Sequence, residues 1–370
     1  MGQLSMSKRE IFNICASALD NNDTLDLALQ ACQGLFPNKS VEIFRQIDKN
    51  KTAQIINDAW GSKTFPHLSD EQDSFFVSTW RFTPDSARKI FDALPTCGSN
   101  FLLLGAPTLL QKDIHLCKSN SCLLIDIVAP PKNPSDVPTL QYDIGNLSGK
   151  EFPCEFDMCF LDPPWYLNPL KHWISVASNS VRDGGIVAFP LLQSLTRPTA
   201  AKDRDIVFEY LEEVGLHADL WKDFVLYQPP SFERAILRRS GLPPVCWKRA
   251  DLVVCKKRSN GIFNDNLEGV VMPPFKQVRV GAVGLDIVFD RYDRQSDDVL
   301  SWNGKEYWMS SPSRRDKFNY SCNVFTSNGA RFVSPKPLEL FEFLSASGEE
   351  NVEKLRSLFP DDFVMECLVR

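Results

Sequence analysis

The sequence is short of the residues that hold metals and of the patterns that mark membranes. It has four histidines in 370 residues, His67, His115, His172 and His217, and none lies at ligand spacing from another. Its eleven cysteines are scattered without a Cys-x-x-Cys pair, so we expect no metal site and no disulfide framework. No apolar run reaches the length of a membrane span, and residues 1–20 lack the apolar core of a signal peptide. We therefore expect a protein of the reducing cytoplasm with no membrane partner.

Two further shortages concern nucleotides and nucleic acids. The net charge of -6 excludes a protein coated with positive charge for non-specific nucleic-acid binding, but it leaves room for a local basic groove. The glycine-rich Gly-x-Gly turn of many nucleotide-binding sheets is absent, because Leu104-Gly105-Ala106-Pro107 offers one glycine. A cofactor site must therefore be argued from other residues.

The chain has the length and composition of a soluble protein with more than one core. Its 370 residues exceed the usual single core, and 43% hydrophobic with 24% charged residues is typical of globular proteins. We predict a helical region over residues 1–70, a Rossmann-like α/β domain over 71–258 and a small β-rich domain over 259–370. In the last domain, turn residues separate short strand-like runs, and two helices are expected near its end.

The first seventy residues carry helical spacing but no catalytic signal. Ser7 and Thr24 can each cap a helix with apolar residues three and four apart. Residues 41–60 predict a third helix. We interpret this region as a helical cap or partner surface.

Three apolar runs in the middle of the chain end in residues that suit a binding site. The first runs into Gly105, the second ends in Asp126, and the third, 156–161, ends in Asp162. Strand, turn, helix and then a strand ending in an acid is the order of a nucleotide-binding Rossmann half. Ligands bind at the carboxyl ends of such strands, so we expect these residues to face one site.

The third run ends in Asp162-Pro163-Pro164-Trp165, a sequence whose chemistry suits methyl transfer to a conjugated amine. Neither proline can donate a ladder hydrogen bond, so the strand stops there. Asp162 can accept one N–H of an amino group, and the carbonyl of Pro163 can accept the other. Trp165 offers a flat face for a base, which contributes roughly 1 to 3 kcal/mol per stacked base. The alternative is an ordinary Asp-Pro turn with Trp165 as core packing.

Four segments in order resemble the N6-adenine-methyltransferase-like family, which includes the lysine methyltransferase of eukaryotic elongation factor 1A. They are Phe76-Val77-Ser78, Gly105-Ala106-Pro107-Thr108 with Gln111-Lys112, Tyr142-Asp143 with Asn146, and Asp162 to Trp165. The resemblance covers roughly residues 74–258, about half of the chain. It implies a class I methyltransferase fold and S-adenosylmethionine as cofactor.

The resemblance also implies roles for single residues. Gly105, Ala106 and Pro107 would let the backbone approach the methionine part of the cofactor. Asp126 would bind the ribose, and Asp143 would lie beside the cofactor adenine. The alternatives are a simple strand-to-helix turn, a solvated strand end and an Asx turn, respectively.

Acceptor binding is the least determined part of the sequence. Phe76 and Ser78 are candidates, although they could instead form a hydrophobic staple under the first helix of the domain. Arg238 and Arg239 lie in a basic stretch that could bind phosphates or be a solvated face. The β-rich domain mixes aromatic and basic residues, which suits either nucleic acid or a hairpin core with a basic loop. Those residues are Trp302, Tyr307, Trp308, Arg314, Arg315 and Lys317.

Three functions therefore stay open at the level of sequence. The first is an adenine N6-methyltransferase acting on DNA or RNA, with nucleic acid as partner. The second is a protein lysine methyltransferase, because one carboxylate and one carbonyl can hold either amine. The third is a binding protein that keeps the fold without catalysis.

Overall fold

The computed structural model describes residues 6–62, 80–94, 100–110, 121–127, 137–147, 151–152, 155–258, 275–280, 283–289, 300, 307–309, 322–346 and 352–368. They divide into two compact units. The first holds the described residues 6–61, 81–228 and 246–258. The second holds Ser62, Trp80, 229–245 and the described residues from 275 onward. No described helix is long and apolar enough to cross a membrane.

Four helices begin the first unit: α1 Lys8–Asp20, α2 Leu25–Gln30, α3 Pro37–Ile47 and α4 Lys49–Gly61. The predicted cap of α1 is confirmed, since the Ser7 hydroxyl accepts from the Glu10 N–H and the Glu10 carboxylate accepts from the Ser7 N–H. Thr24 precedes α2 but makes no side-chain cap. The helices belong to the same unit as the sheet, to which Arg249 ties them by donating to Gln30.

The predicted single helix over residues 41–60 is wrong, because two helices cover that range. Asp48 has the extended angles φ -146° and ψ 100°, which end α3. Its carboxylate then accepts the N–H of Lys51 at 2.9 Å and caps the start of α4. A local cap thus divides a continuous apolar pattern.

A mixed eight-stranded sheet forms the centre of the first unit. Its strands are β1 Arg81–Phe82, β2 Asn100–Leu104, β3 Ser121–Asp126, β4 Thr139–Gln141, β5 Phe156–Leu161, β6 Val181–Leu192, β7 Leu216–Gln228 and β8 Arg249–Lys257. Their order across the sheet is β1-β7-β8-β6-β5-β2-β3-β4. Five neighbouring strands run parallel, namely β4, β3, β2, β5 and β6. β8 is antiparallel to both of its neighbours, β6 and β7. The predicted Rossmann-like α/β fold is confirmed.

Helices pack on both faces of this sheet: α5 Pro84–Ala93, α6 Leu167–Ser180 and α7 Ala200–Glu213. The alternation of β2 shows the two faces. Leu102 and Leu104 join the core that contains residues of α6 and α7, whereas Leu103 lines a small apolar cavity with Phe91 of α5. The first turn of α5 is capped, because the Thr83 hydroxyl accepts from the Ser86 N–H and Pro84 opens the helix.

Gly184 and Gly185 lie within β6, at the point where its pairing with β5 shifts register between Phe156 and Met158. α6 ends at Ser180, and the chain becomes extended at Val181 without a glycine. A Cβ at Gly185 would lie 2.9 Å from the carbonyl oxygen of Asp157, so glycine serves the close approach of β5 and β6.

The second unit contains a four-stranded antiparallel sheet in the order β12-β11-β10-β9. Its elements are α8 Ser231–Arg239, β9 Phe275–Val280, β10 Val283–Val288, β11 Val324–Thr326, β12 Arg331–Phe332, α9 Pro337–Ala346, α10 Val352–Leu358 and α11 Asp361–Leu368. The predicted short strands form this sheet and the two predicted helices correspond to α9 and α10, but the described residues of the unit are more helical than a β-rich domain. The sequence did not predict α8 or α11.

Candidate functional site

The central strands β2 and β5 meet at the topological switch point of the sheet. From β2 the chain continues to β3 on one side, whereas β5 and β6 lie on the other. Open α/β sheets bind ligands in the crevice outside the carboxyl ends at such a point. Gly105 follows β2 and Asp162 follows β5, and the Asp162 N–H donates to the Leu104 carbonyl at 3.0 Å. The two predicted residues therefore lie side by side where the fold favours a ligand.

Gly105 has a conformation and surroundings that exclude a larger residue. Its φ of +61° is in the left-handed region, and a Cβ would lie 2.7 Å from the ring of Trp173 on α6. The same Cβ would lie 3.4 Å from the carbonyl oxygen of Asp162. Ala106 behind it is fully buried, and Pro107 opens a short 3₁₀ helix. The contact of Trp173 with this turn could not be predicted from the sequence motifs.

Asp126 and Asp143 follow the next two strand positions toward the sheet edge. Asp126 ends β3 and is only 5% exposed, although it carries a carboxylate. Its backbone carbonyl accepts the N–H of Tyr142, which precedes Asp143. The Asp143 carboxylate accepts the Gly145 N–H at 2.9 Å, which is the Asx turn that the sequence left open as an alternative. The cofactor role of both acids stays a prediction.

The Asp162 carboxyl group has an unusual protonation equilibrium. Burial raises its pKa from 3.8 to about 8, against the lowering effects of a hydrogen bond from Tyr227 and the charge of Lys248. The charge of Asp126 adds a smaller upward contribution to the same pKa. Tyr227 is fully buried on β7, and its hydroxyl donates to Asp162 Oδ1 at 2.8 Å. A neighbouring acid and cation in a partly buried site are typical of functional carboxyl groups.

Trp165 contacts both Tyr227 and Lys248, the two residues that lower the pKa of Asp162. Its ring meets Tyr227 edge-on, with centroids 5.2 Å apart and planes at 79°. The Lys248 ammonium lies 4.2 Å from the ring centroid, although only 9% of Lys248 is exposed. Trp165 itself is partly exposed, Pro163 is buried and Pro164 is exposed. The indole is therefore not plain core packing, because it shares a surface with a cation and a carboxyl group.

Four other residues were predicted to bind the acceptor. Phe76 and Ser78 lie outside the described residues. Arg238 and Arg239 are exposed residues at the end of α8, in the second unit. Arg239 donates to the Asn328 carbonyl and lies over the ring of Trp308, 3.3 Å from its centroid.

The basic residues that follow Lys248 bind different partners. Arg249 is hydrogen-bonded to Gln30, and Lys257 donates to the Val181 carbonyl at 2.8 Å. In the second unit, Tyr307 is buried and stacks on Phe332, which corresponds to the predicted hairpin core. Trp302, Arg314, Arg315 and Lys317 lie outside the described residues.

Sequence reasoning missed Tyr227 and the special position of Lys248. Both come from the end of the sheet domain, far along the chain from Asp162, and neither belongs to a motif. The signal that could have found Tyr227 is its place in an apolar run, where a buried hydroxyl needs a partner. Within the described part of the chain, no three histidine, cysteine or acidic side chains are grouped as metal ligands.

Comparison with known proteins gives structural matches alone. No family model matches the chain, and neither does any curated protein. The branched-chain polyamine synthase of Thermus thermophilus, solved with N4-aminopropylspermidine and 5'-methylthioadenosine, matches with a TM-score of 0.50 and 13% identity. That match covers 70% of this chain and 90% of the synthase.

Two methyltransferases match over about half of the chain. The N-methyltransferase NodS of Bradyrhizobium japonicum WM9 has a TM-score of 0.28 and 16% identity, covering 47% of this chain and 93% of its own. A SAM-dependent O-methyltransferase of Thermotoga maritima has a TM-score of 0.32 and 15% identity, covering 51% and 73%. The match to the polyamine synthase, with its TM-score of 0.50 and 13% identity, supports the Rossmann-like α/β fold alone.

Proposed function

We propose that this protein transfers a methyl group from S-adenosylmethionine to an amino nitrogen, with adenine N6 in DNA or RNA as the acceptor. The observation that carries the proposal is the position of Asp162. It is a carboxyl group at the carboxyl end of a central strand, beside Gly105 at the switch point of the sheet, with Trp165 three residues away. This arrangement provides a hydrogen-bond acceptor and an aromatic face at the place where the fold binds ligands.

The described residues fit the proposed cofactor. Gly105 has no side chain at the turn after β2, although the ring of Trp173 packs where a Cβ would lie, and the buried Asp126 ends the neighbouring strand β3, where a carboxylate suits ribose hydroxyls. Asp143 fixes the turn after β4 through its bond to Gly145, so it positions backbone at the next strand end. S-adenosylmethionine supplies a methyl group on a sulfonium sulfur, which becomes a neutral thioether when the methyl leaves.

The chain itself orients the amine and takes up the proton. The lone pair of an adenine amino group is delocalised into the ring, so its two hydrogens must be held while the lone pair is directed at the methyl carbon. Asp162 and the Pro163 carbonyl accept these hydrogens. When nitrogen gains a carbon, it must lose one hydrogen as a proton. Asp162 can receive it, because a pKa of about 8 places the carboxyl near the working pH.

The cation at the site favours a neutral acceptor over a charged one. The Lys248 ammonium lies on the ring of Trp165 and near enough to Asp162 to lower its pKa. An incoming lysine or polyamine would bring a second positive charge to the same ring, which costs electrostatic energy in a poorly solvated site. Adenine adds no charge there, and it can stack on the indole. Protein lysine is the second candidate, and the assay below separates the two.

The structural match gives a third outcome to test. The Thermus synthase is solved with 5'-methylthioadenosine, the nucleoside released when the longer arm of a sulfonium donor is transferred in place of the methyl. In both reactions an amine nitrogen attacks a carbon that is bonded to the sulfonium sulfur, and the carbon–sulfur bond breaks. The fold alone therefore does not separate the two reactions. The released nucleoside does, because methyl transfer leaves S-adenosylhomocysteine.

The experiment follows a labelled methyl group and the released nucleoside together. The full chain is incubated with S-adenosylmethionine that carries a tritiated methyl group. Separate reactions contain adenine-containing DNA, adenine-containing RNA or total protein as the acceptor. We expect nuclease-sensitive label and S-adenosylhomocysteine. Asp162→Asn should abolish transfer, whereas Asp183→Asn, an exposed site at the other end of the parallel strands, should not. Protease-sensitive label would mean that the acceptor is protein lysine and not adenine. Failure to bind S-adenosylmethionine in calorimetry would favour a non-catalytic protein.

A further inference from the structure

We propose that Tyr227 is a positioning residue for the reaction, a role that rests on the proposed function of Asp162. Its hydroxyl occupies Oδ1 of Asp162 and thereby turns Oδ2 toward the amine. The donor and acceptor atoms are 2.8 Å apart, and Tyr227 is fully buried. The hydroxyl therefore has no solvent to turn to, and its hydrogen bond selects one orientation of the carboxyl group.

A bulge in β7 brings Tyr227 to this position. The pairing of β7 with β8 shifts register between Trp221 and Val225, so extra residues of β7 face Asp251 on β8. Within the bulge, Asp223 has φ +54°, a left-handed conformation that is costly for a residue other than glycine. Bulges of this kind re-aim side chains and are enriched next to active sites.

Buried polar groups hold the bulge in place. The Asp251 carboxylate accepts the Asp223 N–H at 2.8 Å and forms an ion pair with Arg204 at 2.6 Å. The Gln193 side chain donates to the Asp223 carboxylate from the segment after β6. Asp251 and Gln193 are 7% and 6% exposed, so these bonds are shielded from water. The strained turn is therefore fixed from two sides.

Beyond the bulge, contacts on three sides fix the Tyr227 ring. The backbone N–H of Tyr227 donates to the Lys248 carbonyl at 3.0 Å, which makes Tyr227 and Lys248 cross-strand neighbours. On the other side, Tyr227 pairs with Phe82 of β1, and their rings are 5.0 Å apart. Trp165 covers the ring edge. The side chain has no room to choose another rotamer without disturbing these partners.

The charges around Asp162 explain why one fixed donor matters. Among the described residues, Tyr227 from β7, Lys248 from the residue before β8 and Asp126 from the end of β3 act on its ionisation. Tyr227 and Lys248 favour the carboxylate, whereas burial and Asp126 oppose it. The pKa of Tyr227 is itself held well above its ordinary value, so the phenol stays a donor. Without that donor, the pKa of Asp162 would rise further, so a smaller fraction of the carboxyl group would be ionised at a given pH.

The test compares Tyr227→Phe with Tyr210→Phe. Tyr210 is a buried tyrosine of α7 in the core below the sheet, so its variant loses a buried hydroxyl away from the site. Carbon-13 carboxyl NMR of aspartate-labelled full chain, with Asp162→Asn for assignment, gives the titration midpoint of Asp162. We expect the midpoint to rise by about one unit or more in Tyr227→Phe, as a lost hydrogen bond to a charged group implies, and to stay in place in Tyr210→Phe. Equal midpoints in all three proteins would overturn the proposal.

Two further readouts separate this inference from the proposed function. The pH profile of kcat/KM for the acceptor should move upward in Tyr227→Phe while KM for S-adenosylmethionine stays the same. If the wild-type protein transfers nothing, the proposed function fails, yet the NMR midpoint still decides the role of Tyr227. Should Tyr227→Phe not fold, the ring carbon signals of labelled tyrosine in the wild type decide it. The signal of one tyrosine must follow the titration of Asp162 in the wild type and must stop doing so in Asp162→Asn. If no tyrosine signal behaves in this way, the contact is refuted.

Discussion

The raised pKa of Asp162 makes the rate of transfer depend on pH in a direction that can be calculated. The ionised carboxylate of Asp162 must accept a hydrogen bond from the amine, and the pKa of Asp162 is about 8. About one-tenth of the sites are then ionised at pH 7 and about nine-tenths at pH 9, so kcat/KM should rise about tenfold between them. An ordinary aspartate with its pKa near 3.8 would give a flat profile over this range.

The assay is an initial-rate series at constant ionic strength, with tritiated S-adenosylmethionine and an adenine-containing oligonucleotide as probe. Affinity for S-adenosylmethionine, measured by calorimetry at the same pH values, is the control, since the ribose and turn contacts do not involve Asp162. A rise with a midpoint near 8 is the expected result. In a parallel series with a protein acceptor in place of the oligonucleotide, a midpoint near 10 would instead report an acceptor lysine, whose own pKa is about 10.4.

Two results would refute the reasoning. A profile that is flat from pH 6 to pH 9 would mean that Asp162 is ionised throughout, so that burial does not control it. A rate that falls as pH rises would mean that the protonated carboxyl is the active form. Asp162 would then donate to the acceptor, which an exocyclic amino group does not need.

Three other perturbations test the same geometry. Asp162→Asn should stabilise the protein at pH 9, because the folded carboxyl binds its proton more tightly than the unfolded one. The difference, at most on the order of 5 kcal/mol, should vanish as pH falls toward 4, which thermal unfolding across pH would show. Gly105→Ala should cost about 1 to 3 kcal/mol of stability, because of its positive φ and the Trp173 ring; an unchanged denaturation midpoint would contradict that conformation. Arg204→Met should cost about 3 kcal/mol by leaving Asp251 without its ion pair, and kcat should fall with the loosened bulge; full activity would separate the bulge from catalysis.

The strand ends could be predicted from the sequence, and so could the acids they present. Apolar runs that stop at Gly105, Asp126 and Asp162 are local signals, since alternation, burial and proline all act within a few residues. In parallel strands, those ends must also share one edge of the sheet. The positions of these residues therefore followed from short segments of chain.

The partners of Asp162 could not be predicted in the same way. Tyr227 and Lys248 reach it through the pairing of β7 with β8 and through a bulge that depends on Asp223. Register shifts have no simple sequence pattern, and a positive φ at an aspartate is a compromise that the tertiary structure imposes. Trp173 over Gly105 is likewise a contact between elements, which periodicity on α6 does not specify.

The course of the chain between Tyr227 and Lys248 determines how the protein can be divided. Residues 229–245 belong to the second unit, so one segment of that unit is inserted between two residues that are hydrogen-bonded neighbours in the first. A truncation at residue 258 would keep α8 but remove Asn328, whose carbonyl accepts from Arg239 on that helix, and Gly329, which leaves no space for a Cβ beside Phe232 and Ile236. A separable catalytic unit needs a two-residue turn in place of residues 229–245, as in a hairpin.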